Sequence, residues 1–212
     1  MLITFSGLDG AGKTSIITWL RDELERRRRP TVVLHLNDNV GVYALARAVR
    51  DRLFGAKPEG PPRMEPLPTR LGRVRDGILW SKSLRRLLYP IDLLVFLALR
   101  LYVEWFRRRV LIMDRYFYDR LVDVADDAPR GERWLKWLAR ITPTPDLPVL
   151  LEISPEEAFA RKGEYTVAYL RRRYTAYHRV FPLVPTSLTI ADREPEAVRH
   201  RLARAVRDRM IA

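Results

Sequence analysis

The chain has 212 residues, 47% of them hydrophobic, enough for one domain with a full core. It has no cysteine, which excludes disulfides and thiolate metal sites, and its three histidines (His35, His178, His200) lack metal-ligand spacing. A net charge of +13 rests on an arginine excess beside an absence of glutamine. We read that bias as compositional, from heat adaptation or a GC-rich genome, in preference to a nucleic-acid surface.

In chain order, Leu2-Ile3-Thr4-Phe5 is an apolar run suited to a core strand and too short for a signal peptide. It leads into SGLDGAGKTS, residues 6–15, which fits G-x-x-x-x-G-K-[ST] from Gly7 to Thr14. Gly7, Gly10 and Gly12 allow backbone angles and close approaches that a Cβ would block, so N–H groups can turn toward a phosphate. Ala11 and Ser15 complete that cradle. Lys13 is placed to reach the β- and γ-phosphates of ATP, and the Thr14 hydroxyl to ligate Mg²⁺. From Ser15 to Leu24, Ile16, Ile17, Leu20 and Leu24 recur at helical spacing, so a helix dipole should add to the anion site.

Thr31 to Leu36 reads as a second strand and Val42 to Phe54 as a helix. Five prolines between Lys57 and Thr69 make that stretch a surface loop. Leu71 to about Phe106 reads as mostly helical, broken or bent near Pro90. Its longest uncharged run beyond Asp92, Leu93 to Leu99, is too short to cross a bilayer, and a cytoplasmic protein is expected. Val110 to Met113 is a buried strand ending at Asp114. Further elements are a helix over 132–141, a strand over 148–153, and a helix start at Ser154-Pro-Glu-Glu with Ser154 as N-cap. A helix over 166–181, a strand over 187–191 and a helix over 194–210 follow. Five strands alternating with helices predict an α/β three-layer fold, a five-stranded parallel sheet with its ligand at the carboxyl ends of the strands.

VLIMDRYFYD, residues 110–119, supplies what the other side of such a site needs. Asp114 at a strand tip is suited to a metal's water shell, and Arg115 beside it to a phosphate. The base-reading N-K-x-D of GTPases and the L-S-G-G-Q of ABC-type ATPases are both absent.

Four segments in order resemble the thymidylate kinases, nucleoside-monophosphate kinases of the P-loop class: FSGLDGAGKTS, LLVFLALR (93–100), DRYFYD, and PDLPVLLEISPEEAFARK (145–162). The resemblance implies one P-loop kinase domain over 1–212, with an acceptor-side helical region over about 42–106 and a short lid over about 161–166. It implies ATP as donor with Mg²⁺ on Thr14 and Asp114, dTMP as acceptor, and a homodimer. It assigns Asp9 to the acceptor sugar, Phe96 and Arg100 to the acceptor base, and Arg115 to the acceptor phosphate. One type of the family keeps a catalytic arginine directly after the acid of the loop. Gly10 stands there, so the chain is similar to the type that supplies it from the lid, with Arg161, Arg171, Arg172 and Arg173 as candidates.

Two segments depart from the family pattern. Where the family has R-E-P-G-G-T after the second strand, an ungapped comparison puts Asp38-Asn39-Val40-Gly41-Val42-Tyr43, an acid at the place of a phosphate-binding arginine. The helix after Asp114-Arg115-Tyr116 carries Asp119, Arg120 and Asp123 in place of S…A-Y-Q. The expected activity is ATP-dependent phosphorylation of a nucleoside monophosphate, first dTMP. The alternatives are a related kinase for another small acceptor and a basic, nucleic-acid-binding P-loop ATPase.

Overall fold

A computed structural model describes residues 1–36, 82–127 and 132–211. The expected helix over 42–54, the proline-rich loop, Asp38 and the segment from Leu71 to residue 81 lie outside the described residues. Contacts divide the chain into two units, residues 1–36 with 99–212, and residues 37–98.

In the first unit five strands run parallel in the order β2-β3-β1-β4-β5: β1 Leu2–Ser6, β2 Thr31–His35, β3 Val110–Asp114, β4 Leu147–Leu151 and β5 Leu188–Ile190. The two edge strands are only partly covered, whereas β1 and β4 are buried throughout, as a parallel sheet between helical layers requires. Helices join the strands: α1 Lys13–Arg26, α2 Lys82–Leu101, α3 Phe117–Asp127, α4 Glu132–Ile141, α5 Pro155–Lys162, α6 Val167–Val180 and α7 Pro195–Ile211. Side chains alternate along β1. Ile3 and Phe5 enter one core layer with Ile16, Ile17, Leu20 and Leu24 of α1 and Leu202 and Val206 of α7. A helix of 14 residues is marginal alone, so burial of those four α1 side chains, about 2 kcal/mol each as an upper bound, is what holds it.

Helix α2 straddles the unit boundary. In the second unit its described side chains include buried Asp92, Leu93 and Phe96, while Leu94 is 67% exposed. The helix expected to be broken or bent near Pro90 is unbroken there, and it ends in a π-helical turn, Tyr102–Phe106.

The caps follow the sequence closely. Ser154 Oγ accepts from the Glu157 N–H at 3.2 Å, with Pro155 at the first helical position. Gly163, at φ 63°, closes α5, and Thr166 caps α6, so four residues, Gly163 to Thr166, separate the two helices. Among the described residues no helix is long and apolar enough to cross a membrane.

Candidate active site

The β1–α1 loop is built by its glycines. Gly7, Gly10 and Gly12 all have positive φ, 142°, 95° and 79°. A Cβ on Gly7 would lie 2.4 Å from the Leu151 carbonyl oxygen, and one on Gly10 2.8 Å from that of Ala158. Close packing against β4 and α5 therefore demands glycine at both positions. Gly12 has open space around it, and there the left-handed conformation alone is decisive. It caps α1, whose first turn has neither a side-chain cap nor an acidic residue, so the positive helix end is left for an anion.

Lys13 is buried and folds back over this loop, donating from Nζ to the Gly7 and Leu8 carbonyls at 3.0 and 2.8 Å. Burial pushes its pKa down, Arg115 adds to the shift, and Asp9, Asp119 and Asp114 oppose it. Thr14 is exposed in the first turn.

Register brings the second motif alongside. Asp114 pairs in the sheet with Phe5, one residue before the end of β1. Its Oδ2 lies 3.2 Å from His35 Nδ1, and its buried Oδ1 has no hydrogen-bond partner among the described residues. Such an orphaned carboxylate oxygen beside a phosphate loop fits a magnesium-bound water. No group of three His, Asp or Glu side chains forms a metal cage among the described residues.

Arg115 follows at φ 65°, a left-handed conformation rare for a side chain of its size. Nη2 donates to Asp9 Oδ1 at 2.5 Å, so the two residues expected at the acceptor meet one another. Burial disfavours its charge, yet Asp119, Tyr177, Asp9 and Asp114 together raise its pKa above the usual arginine value.

Asp119 organises what lies beneath. It is buried and accepts from Ser6 Oγ at 2.6 Å, the Tyr116 N–H at 2.9 Å and Tyr177 OH at 2.6 Å. Tyr177 OH also lies 3.2 Å from the Gly7 carbonyl, which ties α6 to the loop. Sequence reading recorded Asp119 only as a departure and passed over Tyr177. The available signal was the i,i+4 pair of Arg115 and Asp119 and the 3–4 spacing of Leu170, Arg173, Tyr177 and Val180 along α6.

The four lid arginines separate. Arg173 is buried, bonded to Asp123, with its guanidinium 5.7 Å from the centre of the Tyr177 ring. Arg171 pairs with Glu156 at 2.8 Å, Arg172 lies over Tyr169, and Arg161 is exposed. Tyr165 and Tyr169 stack at 4.9 Å, and the Tyr169 hydroxyl lies in the field of Arg173, Asp123 and Asp9.

Phe96 and Arg100, both expected at the acceptor base, fall in different units of the chain. Phe96 is fully buried. Arg100 donates to Glu104 at 3.1 Å and Asp146 at 3.2 Å, and Asp146 Oδ2 also accepts the Leu2 N–H. That carboxylate marks the start of β1, so Arg100 sits at the amino edge of the sheet and the phosphate loop at the carboxyl edge. A five-residue strand separates them by about 16 Å. The cause is chain length: only nine residues lie between Arg100 and Val110, so α2 delivers the chain directly to the start of β3.

A glycine loop opening a helix at the carboxyl end of a central parallel strand, with an aspartate at the tip of its neighbour, defines a P-loop phosphotransferase site. No family model matches the chain. It is similar to a probable thymidylate kinase of Sulfolobus acidocaldarius, 26% identical over 161 residues, covering 76% of this chain and 68% of that one. It is similar also to a probable thymidylate kinase of Methanosphaera stadtmanae (27% identical; 76% and 71% covered) and to the thymidylate kinase of Burkholderia mallei (27%; 89% and 90%). Relatives at 26–27% identity, covering 76–89% of the chain, support a divergent member of the thymidylate kinase family.

Proposed function

We propose that the protein transfers the γ-phosphoryl group of ATP to dTMP. An oxygen of the acceptor phosphate forms a bond to the γ-phosphorus as the bond to the β–γ bridging oxygen breaks, giving dTDP and ADP. The observation that carries this reading is the register of Asp114 against Phe5, which sets Asp114 and Arg115 beside the phosphate loop. Lys13 and the α1 terminus hold the donor phosphates. Arg115, held by Asp9, would turn its charge to the acceptor phosphate, and Arg173, on release from Asp123, would meet charge on the transferring group. Thr14 and Asp114 would hold Mg²⁺, which neutralises charge on the β- and γ-phosphates when bound. Closure of residues 161–166 would exclude water.

An acceptor panel with ATP, scored by ADP release, tests the assignment. dTMP should exceed dUMP, the other monophosphates, nucleosides and sugar phosphates. The pairing of Arg100 with Glu104 and Asp146 favours a second reading, the same chemistry on another small acceptor. Turnover with such an acceptor and none with any monophosphate would establish that reading and end the dTMP assignment.

A cytoplasmic homodimer completes the proposal. Leu101, Tyr102, Trp105 and Phe106, at the end of α2 and in its π-helical turn, are each more than half exposed, an apolar patch suited to a second copy. Sedimentation should give a dimer, and Tyr102→Glu with Trp105→Glu a monomer. A wild-type monomer at all concentrations would rule the dimer out.

A further inference from the structure

At the amino edge of the sheet, opposite the phosphate loop, lies a cavity of about 370 Å³ lined by Arg29, Arg108, Arg109 and Arg209, with Glu104 and Pro30. Backbone bonds fix its walls: Val110 N–H donates to the Pro30 carbonyl at 3.0 Å, and Leu111 N–H to that of Met1 at 2.9 Å. Two of the arginines are delivered by left-handed turns, since Arg28 has φ 57° and Arg108 itself φ 49°. A non-glycine residue in that region is uncommon and marks a conformation imposed by its surroundings.

Charge in this cavity is uncompensated. In the same arginine block, Arg26 and Arg27 both pair with Glu23, at 2.8 and 2.7 Å. Among the described residues, Arg29, Arg108 and Arg109 form no ion pair. Arg209 donates to the Asp146 carbonyl at 2.8 Å, which leaves its charge intact. The single lining carboxylate, Glu104, is already neutralised by Arg100 at 3.1 Å and by the Met1 ammonium at 3.0 Å. Four arginines therefore line one cavity that has no free counterion among the described residues.

We propose that this cavity is a second anion site, which takes a ligand carrying two or more adjacent phosphoryl groups. A planar guanidinium fork pairs bidentately with phosphoryl oxygens, and several forks around one space favour a polyvalent anion over a single carboxylate. The volume suits a small phosphorylated molecule up to about nucleotide size. The site stands independently of the acceptor assignment.

The phosphate loop also binds phosphate, so the test uses Lys13→Ala as background and inorganic tripolyphosphate as probe, followed by calorimetry. Saturable binding at one site per chain is expected. It should weaken by about tenfold or more with Arg29→Ala and Arg108→Gly combined, because two charge-assisted contacts are lost. Glycine at 108 keeps the left-handed turn without strain, and matching thermal transitions would show that the fold is retained. Arg133→Ala with Arg140→Ala, removing two exposed charges from α4, should change binding by less than about twofold. Equal losses in the two pairs would reduce the site to general attraction by a basic protein and overturn it, as would no saturable binding. Vesicles of phosphatidylcholine with phosphatidylglycerol separate the sources. Failure to co-sediment beside saturable tripolyphosphate binding identifies a soluble ligand. Co-sedimentation that needs Arg29 and Arg108, without saturable tripolyphosphate binding, identifies a bilayer surface and overturns the cavity.

Discussion

Lys13→Ala should abolish phosphoryl transfer, by about three orders of magnitude or more, while leaving the protein folded with nearly unchanged stability. The first half follows from where the ammonium sits. Phosphoryl transfer is catalysed mainly by positioning and charge stabilisation, and Lys13 is the buried cation inside the phosphate loop. The second half follows from its cost without nucleotide. Its bonds to the Gly7 and Leu8 carbonyls are charge-assisted, each contributing about 1.5–3 kcal/mol. Withdrawing an ammonium from water costs several kcal/mol, and Arg115 repels it further. The two nearly cancel.

The sign can be checked against pH. Burial places the folded pKa of Lys13 below its ordinary 10.5, so between the two values the unfolded chain binds more protons. Wild-type stability should therefore gain a contribution as pH rises through that window, one absent from Lys13→Ala. Thermal unfolding of both proteins against pH measures it, with ATP turnover alongside. A variant that turned over at the wild-type rate would move the site elsewhere. A variant that failed to fold would make Lys13 structural.

Much of the donor side was legible because it is local. Gly7 to Thr14 occupy adjacent positions, and their conformation follows from missing Cβ atoms and one helix start. Ser154 as a cap and the apolar face of α1 are local in the same sense. The acceptor side depends on distances the sequence does not print. LLVFLALR matched a family segment in composition, but the short path from Arg100 to Val110 keeps Arg100 at the amino edge, where it serves Glu104 and Asp146. Tyr177 stands 58 residues from Asp119, and no periodicity links them. Only sheet order brings α3 and α6 together under the loop. The same holds for the arginine cavity, whose walls come from the ends of α1, the π-helical turn and α7.

Asp119→Ala should be the most destabilising single change near the site, costing about 3–5 kcal/mol in urea unfolding. The carboxylate satisfies three buried donors at once: Ser6 Oγ, the Tyr116 N–H and Tyr177 OH. It also lies 3.8 Å from Arg115, whose charge it supports against burial. Alanine would leave those donors without an acceptor and Arg115 with Asp9 as its chief counterion. Asp119→Asn keeps the shape and one acceptor oxygen but turns N–H groups toward a remaining donor, so an intermediate loss, about 1–3 kcal/mol, is expected. Tyr177→Phe removes one of the same bonds. Its cost and that of Asp119→Ala should therefore not add, and the double variant should be more stable than the sum of the singles by about 1 kcal/mol. Additive costs would mean that the Tyr177 hydroxyl and Asp119 act separately. A loss below about 1 kcal/mol for Asp119→Ala would mean that water replaces the carboxylate and the network does not hold the loop. Arg115 stands at φ 65° between Asp9 and Asp119, so the carboxylate that stabilises the fold is also the one that aims the cation. Activity should accordingly fall further in Asp119→Asn than its loss of stability accounts for, measured at a temperature where the variant remains folded.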